Sequence, residues 1–323
     1  MNPLFYHCSG KNRLQSPVFI VGCPRSGTTL LQNILASHSL IYSLPETDCF
    51  SIMDELCVDP SDPLDANLFK RIVCKFEEKN SIKLSDEYKQ IVLLKINRNE
   101  ITVKGFFEDL ISSYNPRKGD SSLRVVEKTP RHYLFFDRIN KIYPDAKFIS
   151  IVRNPSDTIS SIMDTPFGEN AKSYSLARLW NYSAKHILQF KNKFPDKLYL
   201  VKYEDLCKYP IKNIEEICSF LQVSCEADML SNFSKTAEST VAESESWKSN
   251  VFAGRIIRND QRWRKNLDDS EVFLIDIITR KYRAKFGYPR HIPASITIMS
   301  PKILFLMGDM VRYYSSKMVR KYG

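Results

Sequence analysis

Short apolar runs alternate with longer stretches in which apolar residues recur every three or four positions. Val18-Phe19-Ile20-Val21 is continuous and partly β-branched, as a strand buried on both faces requires. Thr28 to His38 carries Leu30, Leu31, Ile34 and Leu35 on one side and predicts a helix. Leu40 to Leu44 reads as a second strand closed by Pro45, after which Glu46-Thr47-Asp48 is expected to open another helix. From Pro60 to about Pro116 the character changes. Phe69, Ile72, Val73 and Phe76 fall at helical spacing among many charges, Phe106, Phe107, Leu110 and Ile111 repeat the pattern, and no glycine occurs between Gly27 and Gly105. This predicts a helical insertion over 60–120.

The alternation then resumes. Leu123 to Val126 is a predicted strand, Arg131 to Tyr143 a helix, Lys147 to Val152 a strand, and Asp157 to Met163 the start of a helix. Ser173 to Lys193 predicts a long helix with Leu176, Leu179, Trp180, Ile187, Leu188 and Phe190 as its core face. Lys197 to Val201 is a further strand and Ile211 to Leu221 a further helix. Ser239 to Arg262 breaks the pattern ahead of a last helix from Ser270 to Phe286. Strands alternating with helices predict an α/β fold, a parallel sheet with helices on both faces. With no internal repeat and no low-complexity linker, residues 1–290 read as one domain and 291–323 as a helical tail.

The link from the first strand to the first helix carries chemistry. A strand, a glycine-bounded loop and a helix N-terminus present free N–H groups to an anion. Gly22 to Gly27 has the spacing of a GxxxxGK[ST] loop, but Thr28 stands where that loop has lysine, and Thr29 follows. Without the lysine that reaches the β- and γ-phosphates, an ATPase or GTPase is disfavoured, as is any other P-loop phosphoryl transferase. The basic residue lies inside the loop, at Arg25. A second anchor follows the strand Lys147 to Val152: Arg153, the turn at Asn154-Pro155, and a helix carrying Ser161. In open α/β sheets ligands sit beyond the carboxyl ends of the strands, which puts Arg153 and the first loop on one edge.

These stretches carry a resemblance. Pro24-Arg25-Ser26-Gly27-Thr28-Thr29 resembles the 5′-phosphosulfate loop of the sulfotransferases that use 3′-phosphoadenosine 5′-phosphosulfate (PAPS), and R-N-P-x-D-x-x-x-S from Arg153 to Ser161 resembles their 3′-phosphate motif. Leu200 to Leu206 is similar to the family's YEDL segment, and Gly254 to Leu267 to its basic loop before the last helix. The resemblance runs from about Pro17 to Tyr288 and is nearer the tyrosylprotein and bacterial branch than the cytosolic small-molecule branch. It implies a P-loop-NTPase-like fold with PAPS as donor. By the same resemblance Arg25, Ser26, Gly27, Thr28 and Thr29 hold the 5′ end, Arg153 and Ser161 the 3′-phosphate, and Tyr203 the adenine, while Arg255 or Arg258 closes over the nucleotide. Glu46 matches the branch's glutamate base, with His132 in Glu127-Lys128-Thr129-Pro130-Arg131-His132 as the competing base. Lys128 matches a lysine that steadies the transferring group, and Arg25 is placed for the leaving phosphate. No zinc spacing and no HExxH occur, so the transfer is expected to need no metal.

Composition narrows the partners. A net charge of +10 and a pI near 9.1 favour anionic ligands such as nucleotides, polyanions or acidic membranes. The eight cysteines form no CxxC pair and read as free thiols in a reducing compartment; with no leader pattern and no spanning run, a cytoplasmic location is expected. The acceptor is expected to be a hydroxyl, or an amine, on a small molecule, lipid, glycan or peptide, and not a nucleic acid. The insertion and residues 164–175 are expected to shape its pocket, with Phe69, Phe106, Phe107, Phe167 and Tyr174 as candidate contacts or plain core. After Pro301, Leu304, Met307, Val311, Tyr314 and Met318 share one helical face, away from Lys302, Arg312, Lys317 and Arg320. Such a helix docks on an acidic membrane surface, on the domain, or on a second copy of the chain. The remaining alternative to an enzyme is a catalytically silent nucleotide or polyanion binder on the same fold.

Overall fold

The structure is a computed structural model that describes residues 16–80, 82–118, 120, 122–241, 246–258, 260–291 and 308. The amphipathic tail pattern after Pro301 lies outside the described residues, except for Gly308. Among the described residues one sheet of five strands is formed, in the order β2-β3-β1-β4-β5: β1 (Val18–Val21), β2 (Ile41–Ser43), β3 (Arg124–Lys128), β4 (Lys147–Val152) and β5 (Leu198–Lys202). Every pairing is parallel. Val18 lies opposite Val126 on one side and Lys147 on the other, so β1 is central and all four of its residues are buried.

The two faces of the sheet follow from strand alternation. Val18 and Ile20 of β1, with Ile149 and Ile151 of β4, pack against Leu31, Ile34 and Leu35 of α1 (Thr28–Ala36). Phe19 and Val21, with Phe148 and Val152, turn to the other core, where Phe148 meets Phe136 and Phe190 edge-on, with centroids at 5.2 and 4.9 Å.

After β2 come α2 (Cys49–Glu55) and the insertion, built from α3 (Ala66–Asn80), α4 (Asp86–Asn97) and α5 (Val103–Ser113). Side-chain caps start two of these: Ser85 accepts from the Tyr88 N–H and Thr102 from the Gly105 N–H. The expected helix start at Glu46 is not formed. Asp48 adopts φ 49°, so 46–48 stay a connection and the helix begins at Cys49. The helix expected from Arg131 to Tyr143 is divided into a 3-10 turn, Pro130–Phe135, and α6 (Phe136–Ile142). The tighter turn directs His132 inward, where it pairs with Glu127.

The second half contains α7 (Pro155–Met163), α8 (Ser173–Lys193), α9 (Tyr203–Lys208), α10 (Pro210–Leu221), α11 (Met229–Thr240), α12 (Trp263–Asn266) and α13 (Asp269–Lys285). Asn154 caps α7 by accepting from the N–H groups of Ser156 and Asp157, and Asp268 with Glu271 forms a capping box on α13. Three of these helices were not expected, the short α12 among them. α9 starts at once after β5, and α11 packs on α1, where the hydroxyls of Thr236 and Thr240 donate to the Asn33 side chain at 2.9 and 2.7 Å.

Candidate active site

The loop after β1 is shaped by close approaches. Gly22 lies so near β4 that a Cβ there would sit 2.5 Å from the Ile151 carbonyl oxygen, and its own N–H donates to the Pro130 carbonyl at 3.1 Å. Arg25 and Gly27 take left-handed backbone angles, φ 68° and 99°. A Cβ on Gly27 would meet the Tyr203 ring at 2.5 Å, so glycine is required there on both counts. No side chain caps the α1 N-terminus and its first turn holds no acid, which leaves the amides of that turn to an anion.

The second anchor touches the first. Arg153 is 5% exposed; its Nη1 donates to the Arg25 carbonyl at 3.1 Å, and its guanidinium lies 4.5 Å from the centre of the Tyr203 ring. The Trp180 indole N–H donates to the Arg153 carbonyl at 3.0 Å. Arg25 Nε donates in turn to the Ser161 hydroxyl at 3.3 Å. The Tyr203 hydroxyl donates to the Ile257 carbonyl at 3.2 Å, which ties the basic 254–262 segment over the ring.

A cavity of about 590 Å³ opens along this edge. Of the residues singled out from the sequence, Arg25, Gly27, Thr28, Thr29, Glu46, Arg153, Ser161, Tyr203 and Arg255 line it. Ser26 and Lys128 are fully buried beside these residues and do not line it. Arg258 is turned to Asp260, at 2.5 Å, and does not reach the cavity. His132 does not reach it either: it is wholly buried, with Nδ1 bonded to Glu127 at 2.9 Å. Of the five aromatics considered for the acceptor, Phe69, Phe106, Phe107 and Tyr174 are buried and only Phe167 lines the cavity. Among its described residues the insertion contributes Lys79 alone to the lining.

Lys248, in the 3-10 segment Ser246–Ala253, was not anticipated. Its Nζ donates to Glu46 Oε1 at 2.9 Å, and Lys128 Nζ donates to the same oxygen. Burial would raise the Glu46 pKa, but the two ammonium groups outweigh it and hold the carboxyl at about 2. Lys248 stands in a stretch without motif or periodicity, so its sequence gives no sign of this partner. Asp157, the acid of the motif from Arg153 to Ser161, had been given no role of its own. It lines the cavity, and burial raises its pKa against the backbone of Gln261 and Trp263 and the Arg153 charge, which lower it. Among the described residues no three His, Cys, Asp or Glu side chains converge as a metal site would need.

The chain is similar to known proteins over most of this region. The profile described as the sulfotransferase family matches residues 17–227, about two-thirds of the chain. The nodulation protein NoeE of Sinorhizobium fredii is 32% identical over 149 residues, covering 46% of this chain and 31% of that protein. The protein-tyrosine sulfotransferase of Drosophila melanogaster is 24% identical over 217 residues, covering 66% of this chain and 39% of that protein. The chain thus spans about a third of the length of these relatives. The sulfotransferase domain of a Synechococcus olefin synthase superposes with a TM-score of 0.58 at 22% identity, over 85% of this chain and 96% of that domain, which shows a shared fold.

The Glu46 geometry sets a pH dependence. A carboxyl held near 2 in the folded chain contributes stability above the ordinary value of 4.5 and loses it as pH falls toward 2. In urea unfolding, the advantage of the wild type over Glu46→Gln should therefore narrow steadily over that acid range. A difference that stays constant across it would mean that the two lysines do not hold the carboxylate.

Proposed function

The chain belongs to the sulfotransferase family, and from that premise we propose that it transfers a sulfuryl group from PAPS to an acceptor hydroxyl or amine. The observation that carries the reading is the contact between the two anion anchors. Arg25 reaches Ser161, and Arg153 reaches the Arg25 carbonyl while stacking on Tyr203. A nucleotide phosphorylated at both ends of its ribose needs two such anchors on either side of one aromatic ring. The donor set fits it: two guanidinium groups, a hydroxyl, and an uncapped helix N-terminus.

In this reading the Arg25 side chain and the backbone amides of Ser26, Gly27, Thr28 and Thr29 hold the 5′ end. Arg153 and Ser161 hold the 3′-phosphate, Tyr203 lies by the adenine, and Arg255 closes over the nucleotide in preference to Arg258, which is engaged with Asp260. PAPS supplies the sulfuryl group and leaves as a phosphate, so fixed cations at that end and in-line positioning provide most of the catalysis.

Glu46 is the general base. In the donor-free chain its carboxylate is neutralised by Lys128 and Lys248 and is a weak base. An incoming anion that competes for the two ammonium groups draws them off Glu46 and restores its basicity. Lys128 and Lys248 then neutralise charge on the transferring group. The acceptor end lies between Pro130, Leu176, Leu179 and Phe167, so the connection 164–172 and the start of α8 shape it more than the insertion does.

The test is incubation with PAPS and a mixture of metabolites and peptides, read by mass spectrometry. Products gaining the mass of a sulfuryl group are expected. Nucleotide binding with no such product would favour the silent binder. Arg153→Ala should weaken binding of the 3′-phosphorylated nucleotide by about 2–5 kcal/mol while barely changing that of adenosine 5′-phosphosulfate. Equal losses for both would make the residue structural. Glu46→Gln should keep nucleotide affinity near wild type and slow turnover by roughly 10²–10⁴. Normal turnover in that variant would remove Glu46 as the base.

A further inference from the structure

Behind Glu46 and Lys128 lies a second charge pair that does not line the cavity. Strand alternation in β3 sends Glu127 to the face opposite Lys128, and Glu127 and His132 are both buried, at 1% and 0% exposure. A buried carboxylate without partners is strongly unfavourable, and this one is fully engaged. Its Oε2 accepts from His132 Nδ1 at 2.9 Å. Its Oε1 accepts from the Thr47 hydroxyl at 2.9 Å and from the Thr129 hydroxyl at 2.6 Å. Thr129 Oγ1 accepts in turn from the Thr47 N–H at 3.2 Å. One carboxylate therefore joins the residue after Glu46 to the residue after Lys128, across two separate connections.

We propose that the Glu127–His132 pair is a positioning device for the catalytic ion cluster. It fixes Thr47 and Thr129, and through them holds Glu46 against Lys128 and Lys248. The catalytic meaning rests on the reading of Glu46 as base, but the geometry does not. His132 so becomes a positioning residue and not the competing base, since its imidazole reaches no cavity.

The surroundings suit a charged pair. The imidazole meets the edges of Phe50 and Phe135, centroids at 5.1 and 6.2 Å, and the nearby ionisable groups besides Glu127 are Cys49 and, further out, Asp48. Burial pulls His132 down, but Glu127 outweighs it and raises the imidazole well above its ordinary value. Glu127 stays low against its own burial because of His132 and the two threonine hydroxyls. Without the imidazole, Glu127 would take up a proton or draw in water. Either change would loosen the threonine bonds that hold the 46–48 connection.

The test uses the donor-free full chain with ¹³C-labelled glutamate carboxyls, titrated by NMR from about pH 7.5 to about pH 4.5, above and into the ordinary carboxylate range. In the wild type the Glu46 signal should not move. His132→Asn, whose amide N–H can stand in for the imidazole Nδ1–H, should also leave it flat. In His132→Leu, and in the nearly isosteric Thr47→Val should the first fold poorly, Glu46 should drift from the lysines and titrate within the window. A flat Glu46 signal in a folded His132→Leu or Thr47→Val protein overturns the proposal, even if Glu46→Gln is slow in turnover. A titrating signal together with normal turnover of Glu46→Gln would instead remove the base, and with it the catalytic meaning of the pair.

Discussion

Parallel pairing of β1 with β3 on one side and β4 on the other fixes the separation of the chain's charged strand ends. Ile20 is in register with Lys128 and with Ile149, and Val21 with Ser150. Three ends follow: the Arg25 loop, Lys128 and Arg153. Of these, Arg25 stands more than a hundred positions before the other two in the chain. None can shift without dragging a strand buried on both faces, because a one-residue slip would turn each apolar side chain to the wrong core. The two cores behind this sheet therefore hold the site's geometry, and the helices outside them are free to vary.

Such an edge gathers positive charge, and the structure balances it unequally. Arg153 lies over the Tyr203 ring and donates to the Arg25 carbonyl. Lys128 and Lys248 instead share one carboxylate, Glu46, which is partly open to the cavity. Two ammonium groups on one carboxylate leave the Glu46 cluster with an excess positive charge, whereas Arg153 also feels the carboxyls of Asp157 and Glu204. Burying a charge pair is worthwhile here for placement more than for stability. The Glu127–His132 pair extends the same logic one layer deeper, where it faces rings, a thiol and hydroxyls, with the Asp48 carboxyl further out.

Much of this was legible in the sequence because it depends on local pattern. Gly22 and Gly27 mark positions where backbone passes close to backbone or ring. The run from Arg153 to Ser161 follows a strand with no polar interruption but Ser150. What was not legible depends on tertiary partners. Glu46 and Asp48 read as a helix start because acids favour such positions, yet Asp48 turns left-handed and the first helical residue is Cys49. His132 read as the competing base; a buried acid five positions earlier holds it instead, and nothing local announces that pairing. Lys248 reaches Glu46 across 202 positions, beyond any motif. Met229, Phe233 and Ala237 did repeat at helical spacing, so α11 could have been read from the pattern. The aromatics of the insertion are core because Phe69, Phe106 and Phe107 pack on one another, with centroids at 5.5 and 5.1 Å.

The central claim is that this edge is built for an adenine nucleotide carrying a 3′-phosphate. Calorimetric titration of the chain with 3′-phosphoadenosine 5′-phosphate, and separately with adenosine 5′-monophosphate, tests it without knowledge of the acceptor. The account predicts that the 3′-phosphorylated nucleotide binds at least about a hundredfold more tightly, a difference of about 2.7 kcal/mol, in buffer without added magnesium. Equal affinities for the two, or preferential binding of magnesium-ATP, would contradict it.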